Sequence, residues 1–194
     1  MNECINQNSL FFFSTFLLVS HQPSWNDVTR LFEGNNDVAF GDVNLRESPA
    51  FRAEPHKPGA GGWPTIRFFN EKTGKDGDSY KKLTSDPMCT ELGDRMRMID
   101  YVEDYGNTVL CSVDDGKNCN DQELKYVEKW KDKDYGELMS QYERLEMMTK
   151  DIKPMKENLR LWAFRRMRIL KRLLAPYRET ASGGYSTEEE GEEL

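Results

Sequence analysis

Cysteine is scarce in this chain. Four residues among 194 are too few for a disulfide-dense scaffold. Histidine is scarcer, with only His21 and His56 and no cysteines spaced around them as a zinc site requires. Long apolar runs are also missing. The longest, Leu10–Val19, has ten residues and includes Ser14 and Thr15, whereas a helical span needs about 20, so no stable membrane insertion is expected. There is no excess of positive charge: 27 Lys+Arg stand against 34 Asp+Glu, a net −7, which argues against a nucleic-acid partner. Gly59-Ala60-Gly61-Gly62 lacks the spacing of a dinucleotide fingerprint, and Gly74-Lys75-Asp76 lacks the Ser/Thr of a phosphate loop. The acidic cluster Asp114–Asp121 has no glycine at the sixth position of a calcium loop. No cofactor and no metal are therefore expected, and no internal repeat is present.

What is there divides the chain into unlike parts. Residues 1–20 read either as a possible signal peptide, with Leu10–Val19 as its apolar core, or as a first buried strand; a mis-assigned start is a third reading. Against the signal stands Glu3, with no Lys or Arg before the apolar run. Ser24 can cap a helix carrying Trp25, Val28, Leu31 and Phe32, stopped at Gly34. Strands are expected over Val38–Asn44 and Thr65–Phe69, the second with Ile66 and Phe68 on one face. Glu54–Gly62 between them reads as a loop, and Asn70–Asp78 as a hairpin turn leading to a strand near Tyr80. Ser85 can cap one helix running to Gly106, with Met88, Leu92, Met96, Ile99 and Val102 inward. That order describes an α/β arrangement over 21–108.

Segment 109–120 is turn-rich and reads as a linker, and 121–176 is helical. Three stripes are expected to face inward: Leu124, Val127 and Trp130; Leu138, Tyr142, Leu145 and Met148; then Met155, Leu159, Trp162, Ala163, Leu170 and Leu173, broken before Pro176. Residues 177–194 form an acidic tail expected to be disordered. Charge is uneven: Lys150–Arg178 carries ten Lys/Arg against two acids, while Glu179–Glu193 holds six acids and no base. The basic stretch reads as the solvated face of a bundle helix or as an adaptor surface for a membrane or RNA.

The sharpest local feature is Gly62-Trp63-Pro64-Thr65 entering the strand Ile66–Phe69, where an X–Pro bond is either cis or an ordinary strand opening. Taken with Pro23-x-Trp25 and the strand Val38-Ala39-Phe40-Gly41-Asp42-Val43, the segment Pro23–Tyr105 resembles a thioredoxin fold of the protein disulfide isomerase type. The resemblance implies that Pro64 is a cis proline and that Trp63, Pro64 and Thr65 border a groove for extended client chains. One departure matters. The family's Cys-x-x-Cys pair, a low-pKa attacking thiol with a resolving partner, is absent, and Val19-Ser20-His21-Gln22 stands before Pro23. Two readings stay open: a redox-inactive relative, or a truncated version of an active disulfide isomerase. Whether the chain is an enzyme is thus undecided.

Of the four cysteines, Cys111 and Cys119 can close a short disulfide; Cys89 with Cys111 is an alternative, as is a fully reduced set. Cys119-Asn120-Asp121-Gln122-Glu123-Leu124, Tyr142-Glu143-Arg144-Leu145 and Arg165-Arg166-Met167-Arg168-Ile169-Leu170 resemble the C-terminal helical domain of some disulfide isomerases and of a redox-inactive chaperone relative. Gly191-Glu192-Glu193-Leu194 resembles a degenerate retrieval signal of the endoplasmic reticulum. The expectation is an incomplete thioredoxin-like α/β domain followed by an all-α bundle, in the lumen of that compartment. Its expected partners are unfolded or secretory clients, with a possible homodimer through the helical segment.

Overall fold

The computed structural model describes residues 9–14, 22–45, 47–58, 65–150 and 155–182, in two compact units that divide between Leu110 and Cys111. The division falls inside the segment expected as a linker. Of the tail expected to be disordered over 177–194, residues 177–182 are helical instead, and the remainder with its terminal Glu-Leu lies outside the described residues.

The first unit contains β1 (Ser9–Ser14), α1 (Gln22–Leu31), β2 (Val38–Asp42), a 3-10 turn (Pro49–Arg52) and β3 (Thr65–Phe69). A second 3-10 turn (Gly74–Asp76) follows, then β4 (Asp78–Ser79), α2 (Met88–Gly93) and α3 (Arg95–Gly106). The sheet order is β2-β1-β3-β4. β1 runs parallel to β2, with Phe11 opposite Phe40, and antiparallel to β3, with Phe13 opposite Ile66. Half of the apolar run that the sequence leaves ambiguous is thus the strand between two partners.

One face of the sheet is packed by helices. α1 turns Trp25, Val28 and Leu31 inward, with Phe32 just beyond its end, and Phe40 of β2 meets Trp25 edge-on at 5.6 Å. Ser24 is not the cap of α1, because the helix starts two residues earlier and carries Pro23 in its first turn, where a missing N–H is harmless. The Ser24 hydroxyl is buried instead and donates to the carbonyl of Gly93 at 3.0 Å. From β3, Ile66 and Phe68 point inward, and Phe68 sits 4.5 Å from Tyr105. Gly77 closes the turn into β4 at φ +62°; a Cβ there would lie 2.5 Å from the Phe69 ring, so any other residue would strain the backbone and force that ring to shift.

The single helix expected from Ser85 to Gly106 is two. Asp94 interrupts it: its backbone is extended and its carboxylate accepts from the amides of Met96 and Arg97, which makes it the N-cap of α3. Asn107 ends α3 in the left-handed region at φ +48°. The break tips α2 so that Glu91, fully buried, faces the preceding loop. Its carboxylate accepts from the Tyr80 hydroxyl at 2.6 Å, the Leu83 amide at 2.8 Å, and the Thr84 amide and hydroxyl at 2.9 and 2.6 Å.

The second unit opens with the loop Cys111–Asn120 and continues through α4 (Asp121–Trp130), α5 (Tyr135–Lys150), α6 (Glu157–Leu173) and α7 (Ala175–Ser182). Asn120 and Glu123 form a reciprocal capping box at the start of α4. Its inward residues are Glu123 and Val127, whereas Leu124, expected inside, is 44% exposed. Glu123 displaces it because Arg165 of α6 reaches the carboxylate at 2.7 Å, turning that side of α4 toward α6. Leu138 and Leu145 of α5 are buried, while Met148 is exposed. Ala163, Phe164, Met167, Ile169 and Leu170 are the inner side of α6; Leu159, expected among them, is exposed. The chain turns at Leu174 and resumes as α7 with Pro176 in its first turn, so the expected break becomes a restart. Among the described residues no helix is long and apolar enough to cross a membrane.

Burial alone would raise the Glu91 carboxyl, but bonds from Thr84, Tyr80 and Leu83 outweigh it and hold the group down at about 2. Since a carboxylate with depressed pKa stabilises the fold above its ordinary value, that stability is lost as pH falls from 4.5 toward about 2. Glu91→Gln should lower stability at pH 7 by about 2 kcal/mol and flatten the acid limb of a urea-melt series, because a neutral amide cannot accept all four bonds. An unchanged acid limb would show that Glu91 does not carry it.

Candidate functional site

In an open sheet with parallel strands, the carboxyl ends beside a reversal of strand order form a crevice, because the chain leaves in opposite directions there. Here the reversal lies at β1, flanked by β2 on one side and β3 on the other. At that end β1 finishes with Ser14 opposite Thr65, the first residue of β3, and β2 finishes with Asp42. A hollow of about 30 Å³, open on one side, lies there, lined by Val43, Leu45, Phe51, His56, Pro58, Thr65 and Arg67. That is room for about one or two waters. It can seat a small apolar group at its floor while the rest of a ligand lies across its mouth.

Local sequence explains the lining. Val43 and Leu45 follow β2 two residues apart, and both side chains are half-buried. The Pro/Gly-rich stretch then folds back through the 3-10 turn, and the Glu54–Pro55 bond is cis. This brings the His56 ring to 4.9 Å from Phe51 and 6.1 Å from Phe69 of β3. Arg67 donates to the carbonyl oxygens of Asp76 and Gly77 at 2.8 and 3.2 Å and to the Ser79 hydroxyl at 3.2 Å. Its guanidinium is therefore committed to the neighbouring turn. Nδ1 of His56 is buried without a hydrogen-bond partner. Burial first, and the Arg67 charge second, push this imidazole below its ordinary value, with Asp76 opposing them. Burial also pushes the Asp42 carboxyl up.

Of the groove residues expected from sequence, Thr65 borders this hollow, and Trp63 and Pro64 lie outside the described residues. Val43, Leu45, Phe51, His56, Pro58 and Arg67 were not anticipated. Two aromatic rings inside a Pro/Gly-rich loop were the signal available for them, since a purely solvated turn has little use for Phe51 and His56.

The other expected pair lies in the helical unit. Cys111 and Cys119 form a disulfide, with Cα atoms 4.5 Å apart. It closes the loop ahead of α4, and Cys111 packs with Val127 and Ile169 while Val113, Cys119, Tyr126 and Leu173 surround them. Cys111 is only 1% exposed. Among the described residues no group of three or more His, Cys, Asp or Glu is gathered as a metal would need.

Two outcomes follow. A His56 that is harder to protonate when folded stabilises the unit above its ordinary value of 6.5, and that contribution is lost as pH falls below it. His56→Phe, which keeps an aromatic ring on Phe51, should remove the loss between pH 7 and 5.5 in chemical-denaturation midpoints; an unchanged slope would refute this. Replacing both Cys111 and Cys119 with Ser should cost about 2.5 kcal/mol, the closure entropy of so short a loop, with α4 the first helix to lose amide-exchange protection. Equal protection in both proteins would count against the staple. No family model, no curated protein and no solved structure matches this chain.

Proposed function

We propose that the α/β unit is a thioredoxin-like module of the protein disulfide isomerase type that binds extended client chains without redox chemistry, assisting folding in the endoplasmic reticulum. The observation that carries the reading is the half-open apolar hollow at the carboxyl ends of β1 and β2, bordered by Thr65. The strand order β2-β1-β3-β4, with β1 parallel to one neighbour and antiparallel to the other, supports it. So does the packing of α1 and α3 on the sheet face that carries Phe40 and Phe68. In this reading Trp63, Pro64 and Thr65 contact the client backbone, and Val43, Leu45 and Phe51 receive an apolar side chain. The helical unit adds client contacts or a homodimer contact.

The chemistry is that of a weak and promiscuous binder. A hollow that accepts one small apolar group contributes only about 1–2 kcal/mol, so affinity comes from repeated engagement along an unfolded chain. Absence of a Cys-x-x-Cys pair removes the attacking and resolving thiols of the standard exchange.

The test uses a fluorescently labelled, permanently unfolded carboxymethylated polypeptide. Val43→Asp, which places a charge on the floor of the hollow, should weaken its binding about tenfold, close to 1.4 kcal/mol. Leu45→Ala should weaken it less, and the insulin-reduction rate should equal the buffer blank. Binding unaffected by both substitutions would remove the hollow from the proposal. Measurable insulin turnover would replace the redox-inactive reading with that of a disulfide isomerase.

A further inference from the structure

The helical unit carries a cationic and aromatic face that no acid among the described residues pairs with. On α4 and α5, Glu128 pairs with Lys131, Glu137 with Lys133 and Glu146 with Lys150, while buried Glu123 takes Arg165. Arg144 of α5 and Arg166 of α6 have no such partner among the described residues. Arg144 donates from Nε to the Gln141 side-chain oxygen at 3.1 Å, and Arg166 donates from Nε to the Trp162 carbonyl at 3.4 Å. The Arg166 guanidinium lies over two rings, 5.4 Å from the centre of Trp162 and 6.0 Å from that of Tyr126. Those rings meet edge-on at 5.9 Å. Gln141 completes the face by donating to the Tyr126 hydroxyl at 3.3 Å.

Two like charges close enough to repel, one of them above aromatic rings, cost free energy without a counter-charge. Burial and the nearby Arg144 charge both push Arg166 below its ordinary value, so the pair acts on itself. A guanidinium is a planar fork of N–H donors that can grip a carboxylate with two parallel bonds. Phosphate would fit the same fork, but the chain itself supplies carboxylates in quantity. Segment 183–194 contains Glu188, Glu189, Glu190, Glu192 and Glu193, with no Lys or Arg.

Reach is not limiting. Twelve extended residues span up to about 40 Å, which exceeds the roughly 25 Å from Arg166 to Ser182 even if α6 and α7 ran on in line. Tethering also places those glutamates at an effective concentration on the order of millimolar, above that of most free competitors. We propose that Arg144 and Arg166, with the rings of Tyr126 and Trp162, form a carboxylate-binding face on the helical unit, and that its occupant is the chain's own acidic segment 183–194. The segment then acts as a built-in competitor that acidic ligands must displace.

The test is made on the full chain. One variant changes Glu188, Glu189, Glu190, Glu192 and Glu193 to Gln, and a synthetic peptide of residues 183–194 with its native glutamates is titrated into it and into the unmodified chain by calorimetry. The neutralised variant should bind the peptide at least tenfold more tightly, and adding Arg144→Gln to it should abolish most of that gain. Arg144 is exposed, so this substitution leaves the core untouched; Arg166→Lys provides a second probe that keeps the charge and loses the fork. Equal affinity for both chains overturns the proposal, as does absence of binding to either. Binding that ignores both arginine substitutions assigns the peptide to another surface and overturns it as well.

Discussion

A carboxylate taken out of water has to accept hydrogen bonds, and in this chain that requirement joins irregular segments to helices. Glu91, Glu103 and Glu123 are each at most 4% exposed. Glu91 gathers the loop from Tyr80 to Thr84 onto α2. Glu103 takes the Leu110 amide at 2.7 Å and so fixes the last residue of the α/β unit against α3. Glu123 accepts from the Asn120 amide at 2.7 Å and from Arg165, joining the start of α4 to α6. Each is costly to bury alone, and several kcal/mol are at stake if one partner is removed. Loops that would otherwise stay open to solvent are thereby ordered around the helices.

The same device explains which parts of the fold were legible in the sequence. Stripes at helical spacing located α4, α5 and α6 of the second unit but not α7, and alternation located β3 with Ile66 and Phe68 inward. Polar residues broke the pattern where they went inside. Leu124 looked like the inner residue of α4 because apolar periodicity cannot anticipate that Glu123, one position earlier, will be taken inward by a cap and an arginine. Asp94 was invisible for a related reason. It sits between Leu92 and Met96 in a continuous apolar stripe, and only its side-chain bonds to Met96 and Arg97 turn one helix into two. The lining of the hollow was hidden differently. Val43, His56 and Arg67 are far apart in sequence, and strand pairing gathers them, whereas the local motif in the sequence is the tetrapeptide ending at Thr65.

Charge tells a similar story. The basic excess of Lys150–Arg178 reads in sequence as one solvated face, yet its members have separate roles. Arg165 serves a buried carboxylate, Arg168 is itself only 8% exposed, and Arg166 lies on two rings. An arginine stem carries enough apolar surface to line a core while its head finds polar company, which is why counting charges overstated the solvated surface.

The Cys111–Cys119 bridge bears on whether this chain could exchange disulfides by another route. Exchange needs an attacking thiolate to reach one sulfur and the other to leave as a stabilised thiolate. Cys111 is enclosed by Val127 and Ile169 and is only 1% exposed. Attack at Cys111 is blocked by the same packing. The bridge precedes the capping box that starts α4, so opening it would also release the backbone that positions Asn120 and, through it, Glu123. A bond whose rupture dismantles a helix start and strands a buried carboxylate is a staple by construction.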